Sequence, residues 1–309
     1  GVTVARVLVS AGQPATAVLP AAAHDPLLLA LDAAAATASA DSAALSTHAV
    51  TVAAPVRINT AVTEPDGTTT KLNEPGASLS PEEIDAVEMA LLEAVAAARP
   101  SERAESAESA GARHWAVLSG SLPPGAPADW YARLVRLLRG AAPDLRIAVD
   151  TSDAPLAELA AGLPDSAPDL VKPNGEELGQ LVGLPADRAM ALEEGAVRGE
   201  LAPVADAARI LVDLGIGAVM ATLGPAGAVL VTGEGAWHAT APKVPVASTV
   251  GAGDSSVAGY VLADVRGGDE PERLRTAMAY GSAAASLPGT TLPTPGDLPA
   301  QEVVVTRLA

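Results

Sequence analysis

The sequence contains no cysteine and no phenylalanine, only 2% aromatic residues, and 19 lysines and arginines against 37 acidic residues in a chain of 309. Each shortage excludes something. Without cysteine there is no disulfide, no thiolate nucleophile and no cysteine-based zinc site. With so few aromatics the core must be packed from aliphatic residues and alanine, which a hydrophobic content of 49% supplies. A formal net charge of -18 sets most of the surface against nucleic acid and anionic membranes. A phosphate-bearing ligand must then be received locally, by backbone N–H groups, a few cations or a metal. The four histidines, His24, His48, His114 and His238, are scattered without metal-ligand spacing. No apolar run approaches the roughly 20 residues of a membrane helix. The chain reads as soluble and cytoplasmic, with neither nucleic acid nor membrane as a partner.

From Arg113 onward, short β-like runs alternate with amphipathic helical ones. The strand "WAVLS" (115–119) precedes a helix in which Trp130, Leu134, Leu137 and Leu138 fall at helical spacing and Gly140 marks the stop. The strand "RIAVD", a short helix around "PLAELAAGL", the strand "DLVKP" and a helix opening at Asn174 follow. The helix "VADAARILVDLG" then leads into "AVMATLG", with "GAVLV" returning as its hairpin partner. Such repeated β-α units predict an α/β fold with a mainly parallel sheet covered by helices on both faces. Residues 56–76 differ: two alternating strands flank Asp66-Gly67, a favoured hairpin turn, and suggest a small β flap outside the main sheet. A helix begins cleanly after it, with Ser80 as N-cap, Pro81 first and Glu83 closing a capping box. The charged stretch 101–109 reads as a loop, and no linker splits the chain.

Four stretches could carry chemistry. In "STVGAGDSS", Gly251, Ala252 and Gly253 leave a helix mouth bare and Asp254 follows. Unpaired N–H groups and the dipole suit a phosphate there. Asp254, a poor phosphate ligand, suits a general base for an attacking hydroxyl. A dipole-capped turn explains the same residues. In "LVKPNGEEL", Asn174 and Glu177 could share the water shell of Mg²⁺, though a capping box explains both without a metal. "LSGSLPPGAP" offers the hydroxyls of Ser119 and Ser121 around Gly120 just after a strand, where open α/β sheets bind ligands. "TLGPAGAVL" gives a Gly224-x-x-Gly227 turn, common in any hairpin. Arg57 and Lys71, on the flap, are cations that could receive an anion or serve solubility alone.

In this order, the stretches resemble the ribokinase-like (PfkB) sugar kinase family: "STVGAGDS" its C-terminal signature, "LVKPNGEEL" its N-x-x-E motif, "TLGPAGA" its nucleotide-side turn. "LSGSLPPG", "RINTAVTEPDGTTTKLNEPG" and the closing "AAASLPGTTLPTP" are similar to the branch acting on phosphorylated ketohexoses. The resemblance runs the length of the chain and is weakest from residue 21 to 55. It implies a three-layer α/β/α domain of residues 1–55 and 77–309, with 56–76 forming part of a β lid. It implies ATP-dependent phosphorylation of a ketohexose phosphate, fructose 1-phosphate first, with tagatose 6-phosphate, fructose 6-phosphate or a catalytically silent binding protein as alternatives. Asp254 would be the base, and the N–H groups of Gly251, Ala252 and Gly253 the anion hole. Asn174 and Glu177 would organise Mg²⁺ through water, with Lys172 beside the ATP phosphates. Thr222, Gly224 and Gly227 would border the nucleotide. Arg57, Lys71, Ser119, Ser121 and Thr3 would hold the sugar phosphate. Pairing of lids into a homodimer is common in the family and is an expectation here. The family also carries further sugar-binding motifs ahead of the point matching Gly1, with Asn where Thr3 stands; the chain reads as trimmed rather than stripped of its sugar site.

Overall fold

The computed structural model describes residues 1–37, 43–63, 69–98 and 113–308. The Asp66-Gly67 turn, the loop 101–109 and the side chain of Lys71 lie outside the described residues. Helix α1 (Val2–Ser10) leads into β1 (Ala15–Ala21), α2 (Pro26–Thr37) and β2 (Leu45–Thr51). The hairpin strands β3 (Asn59–Thr63) and β4 (Thr69–Asn73) follow, then α3 (Pro81–Ala98). The expected capping box starts α3: Ser80 N–H donates to Glu83 at 2.8 Å and Glu83 N–H to Ser80 Oγ at 3.2 Å.

The β-α alternation then runs through β5 (Trp115–Ser119), α4 (Trp130–Ala141), β6 (Arg146–Asp150), α5 (Asp153–Ala161), β7 (Leu170–Val171) and α6 (Gly175–Leu181). Helices α7 (Ala186–Val197) and α8 (Ala202–Asp213), and strands β8 (Ala218–Thr222), β9 (Ala228–Thr232) and β10 (Gly235–Ala239), continue it. Helices α9 (Ala252–Val265) and α10 (Glu270–Ser286) and the short β11 (Val305–Arg307) close the chain. Gly140 does not stop α4, which runs one residue further to Ala141.

Among the described residues, seven strands form one sheet in the order β11-β10-β9-β8-β7-β6-β5. Strands β5 to β8 run parallel, and β9, β10 and β11 return antiparallel. Both faces are buried, and the alternation of the strands shows why the molecule is layered. Ile147, Val149, Val219 and Val231 pack into one core with α4, α5, α6 and α8. Ala148, Met220 and Leu230, their immediate neighbours, face a second core built with α1, α9 and α10. Period-2 alternation with apolar residues at both parities is what a doubly covered sheet requires.

Two smaller sheets stand apart: β3 pairs antiparallel with β4, as expected for the flap, and β1 pairs parallel with β2. β5 ends the large sheet, and its residues face those of β1 across an apolar cavity of about 870 Å³, with Val4, Leu8, Val87, Leu91 and Leu134 on its walls.

Candidate active site

The carboxyl ends of β5, β6, β7 and β8 meet the start of α9 around a polar cavity of about 560 Å³. Gly120, Ser121, Asp150, Thr151, Ser152, Lys172, Asn174, Glu177, Thr222, Thr249 and Asp254 line it. Parallel strands aim their ends at one edge of the sheet, which is where such sheets bind ligands.

Helix α9 presents its N-terminus here. Gly251, its N-cap, has φ of 79°, in the left-handed region that favours glycine. The N–H groups of Gly251 and Gly253 have no acceptor among the described residues, and that of Ala252 makes only a 3.4 Å bond to Thr249 O. Asp254 sits in the first turn, its Oδ1 3.5 Å from Ser119 Oγ. A Cβ on Gly253 would lie 3.2 Å from Lys172 Nζ, so bare backbone lets that ammonium come up to the helix mouth. Together these form a socket for an anion next to a carboxylate.

Lys172 Nζ also pairs with Asp150 Oδ1 at 3.1 Å, both side chains being largely buried. Burial pushes the Asp150 carboxyl above its ordinary range, with Lys172 pulling the other way. Asn174 caps α6: its side chain accepts from Glu177 N–H at 2.8 Å, and Glu177 Oε2 accepts from Asn174 N–H at 2.8 Å. The capping reading of these two residues is therefore realised, and Glu177 still borders the cavity. Burial raises its carboxyl too, against the N–H bond from Asn174 and the charge of Lys172. Thr222 lies beside Asn174 in a parallel bridge and is tied to Pro173 O at 2.9 Å through its N–H.

Arg57 and Ser119 line the larger cavity and Ser121 borders both, with Arg57 Nη2 donating to Ser121 Oγ at 3.2 Å. Thr3 packs near the helix mouth, 3.8 Å from where a Cβ on Gly251 would sit, but lines neither cavity. Gly224 and Gly227 lie outside the cavity lining. Gly227 has a packing reason of its own, since at φ of 92° any Cβ would run into Ala239 O. The backbone of Lys71 pairs with Ala61 in the hairpin. Sequence reasoning missed Asp150, Thr151, Ser152 and Thr249. The one signal for Asp150 was its place as the last residue of a strand in a parallel run.

A Gly-turned helix mouth with an aspartate, at the carboxyl edge of a layered α/β sheet, is an arrangement suited to phosphoryl transfer. The pattern of the pfkB family carbohydrate kinases matches residues 45–297, and the chain belongs to that family. It is 37% identical over 252 residues to the 1-phosphofructokinase of Rhodobacter capsulatus, covering 81% of this chain and 69% of that protein. To the 1-phosphofructokinase of Escherichia coli K12 it is 32% identical over 232 residues, 74% of this chain and 63% of that protein. Among solved structures, Escherichia coli phosphofructokinase-2 in complex with substrates and products superposes with a TM-score of 0.77 at 30% identity, over 96% of this chain and 84% of that one. Ribokinase from Arabidopsis thaliana, with ribose and ATP, shares the fold at a TM-score of 0.61 and 17% identity, over 97% of this chain and 83% of that one.

Proposed function

We propose that this kinase transfers the γ-phosphoryl group of ATP to the free primary hydroxyl of a phosphorylated ketohexose, fructose 1-phosphate, giving fructose 1,6-bisphosphate and ADP. The observation that carries the reading is the position of Asp254, one step after bare N–H donors at a helix mouth and within reach of Ser119. The names of the relatives support the choice of sugar phosphate.

Asp254 takes the proton of the sugar hydroxyl as its oxygen bonds to the γ-phosphorus and the bond to the ADP oxygen breaks; the proton then passes to solvent. The N–H groups of Gly251, Ala252 and Gly253 accept the charge that builds on the phosphoryl oxygens. Lys172, held by Asp150, faces the nucleotide phosphates, and Thr222, Gly224 and Gly227 border the nucleotide. Arg57, Ser119 and Ser121 receive the sugar phosphate, with Lys71 from the hairpin and Thr3 at the rim. Asn174 and Glu177 would hold the water shell of a divalent cation, with the Asp150 carboxylate lining the same cavity. Mg²⁺ keeps several waters and needs few protein ligands, and when bound it neutralises phosphate charge. Residues 56–76 act as a lid that excludes water from the acceptor, and 1–55 with 77–309 form the body.

Ile58, Val62 and Leu72 share one face of this hairpin and are 61%, 50% and 60% exposed. We assign that face to pairing with a second copy. Among the described residues no helix is long and apolar enough to cross a membrane, and dependence on ATP fits a cytoplasmic enzyme.

An ADP-release assay on the full-length protein with phosphorylated and free hexoses tests the reading. Fructose 1-phosphate is expected to give the highest kcat/KM; tagatose 6-phosphate or fructose 6-phosphate in first place would change the sugar. Turnover with unphosphorylated sugars only would overturn the assignment. Asp254→Asn is expected to lower kcat by about a thousandfold while ATP still binds.

A further inference from the structure

Between Ser119 and Ser121 the chain turns at Gly120, whose φ of 104° makes it a joint of unusual freedom. That joint is held on every side. Its carbonyl accepts from the Tyr131 phenol at 2.8 Å and from Thr151 Oγ1 at 3.1 Å. Its N–H donates to Asp150 O at 3.0 Å. Tyr131 and Thr151 are 7% and 8% exposed and belong to different elements, α4 and the segment after β6.

The neighbouring Trp130 fills the same core and spends its indole N–H on Glu88 at 2.8 Å. The Tyr131 ring packs there too, but its hydroxyl is spent on the Gly120 carbonyl. Phenylalanine would supply the packing without that bond. The bonded peptide lies between two hydroxyls: Ser119 Oγ, which meets Asp254 and the Gly1 amine, and Ser121 Oγ, which meets Arg57.

We infer that Tyr131, seconded by Thr151, is a positioning residue for the acceptor substrate: the two hydroxyls clamp the Gly120 carbonyl so that Ser119 and Ser121 meet the sugar phosphate between Asp254 and Arg57. The inference rests on the acceptor subsite assigned above. Burial, with the carboxylates of Asp150 and Asp254, holds the phenol above the usual tyrosine range, so it remains a donor throughout the working pH. Both hydroxyl bonds of the clamp fall on Gly120, between the two serines, and neither falls on Thr222 or Asn174. The clamp therefore separates two Michaelis constants that general loosening of the fold would move together.

The test is steady-state kinetics of the full-length protein and its Tyr131→Phe, Thr151→Val and Thr151→Ser variants, with fructose 1-phosphate and ATP varied in turn. Tyr131→Phe is expected to raise KM for the sugar phosphate about tenfold, with KM for ATP within twofold and the pH profile unchanged in shape. Thr151→Val is expected to act in the same direction and Thr151→Ser to restore the unaltered kinetics. The clamp is overturned if KM for the sugar phosphate stays put in Tyr131→Phe, or if both Michaelis constants rise together. Should Tyr131→Phe fail to fold, the Thr151 pair decides by the same criterion. Absence of turnover by the unaltered protein with every sugar phosphate would overturn the proposed function itself, an outcome distinct from normal turnover with indifferent variants.

Discussion

Lys172 is the residue on which the charge balance of the cavity turns. Three carboxylates line that cavity, from Asp150, Glu177 and Asp254, and Lys172 is the one cation among the lining residues. Its ammonium is 3.1 Å from Asp150, with side-chain exposures of 11% and 17%. Removing one partner of such a pair strands the other charge away from water, at a cost of about 3 kcal/mol. Lys172→Met is expected to lower the Tm, and adding Asp150→Asn to recover much of the loss; denaturant unfolding of the double and single variants checks it. If the two losses simply add, Lys172 is stabilised by something other than Asp150.

Glu177 gives a pH signature whose sign can be worked out. Its folded-state pKa lies above the ordinary 4.5 because burial disfavours the carboxylate. The folded protein thus binds this proton more tightly than the unfolded chain does. Ionising it costs stability as pH rises from 4.5 through the raised folded value, and the loss is complete above that value. The Glu177→Gln variant is expected to lack this part of the slope when unfolding free energy is measured against pH. Activity runs the opposite way. A site needing ionised Glu177 loses kcat on acidification sooner than an exposed glutamate would cause, and pH-rate profiles of the two proteins compare this directly.

At the scale of elements, what was legible in the sequence was local. The Ser80–Glu83 box needs only two residues three apart, and it formed as read. Ser80→Ala is expected to cost about 1 kcal/mol, visible as a lower Tm with kinetics unchanged. The mouth of α9 was legible for the same reason, because Gly251 to Asp254 are consecutive. Gly251→Ala would meet nothing nearer than Thr3 at 3.8 Å, so its cost is conformational rather than steric. A left-handed alanine costs about 1–2 kcal/mol, and relaxation of that turn would swing the donors away; a kcat lower by about a hundredfold is expected. Asp150 and Tyr131 were not legible because their meaning is non-local. Asp150 matters because β6 lies beside β7 and so beside Lys172. Tyr131 matters because α4 returns to the turn after β5, and within its own helix it looks like any core aromatic.

At the scale of the molecule, alternation in β6, β8 and β9 announces a sheet covered on both faces, and the two cores follow from it. Association is less readable, because an exposed apolar face is visible only once β3 and β4 are paired. Light scattering of Leu72→Asp is expected to report a smaller species than the unaltered protein if that face joins two copies. The cavity between β1 and β5 has a different kind of consequence. The leaf made by β1 and β2 rests on a third, small core of Ala5, Ala17, Leu19 and Ala21, whereas β8 and β9 sit inside the two large ones. Cooperative units with few buried contacts open at a lower free energy than the whole. Amides of residues 15–21 and 45–51 are expected to take up deuterium well before those of residues 218–222 and 228–232. The molecule would then breathe along this seam, whose walls include Arg57, Ser119 and Ser121 of the acceptor side.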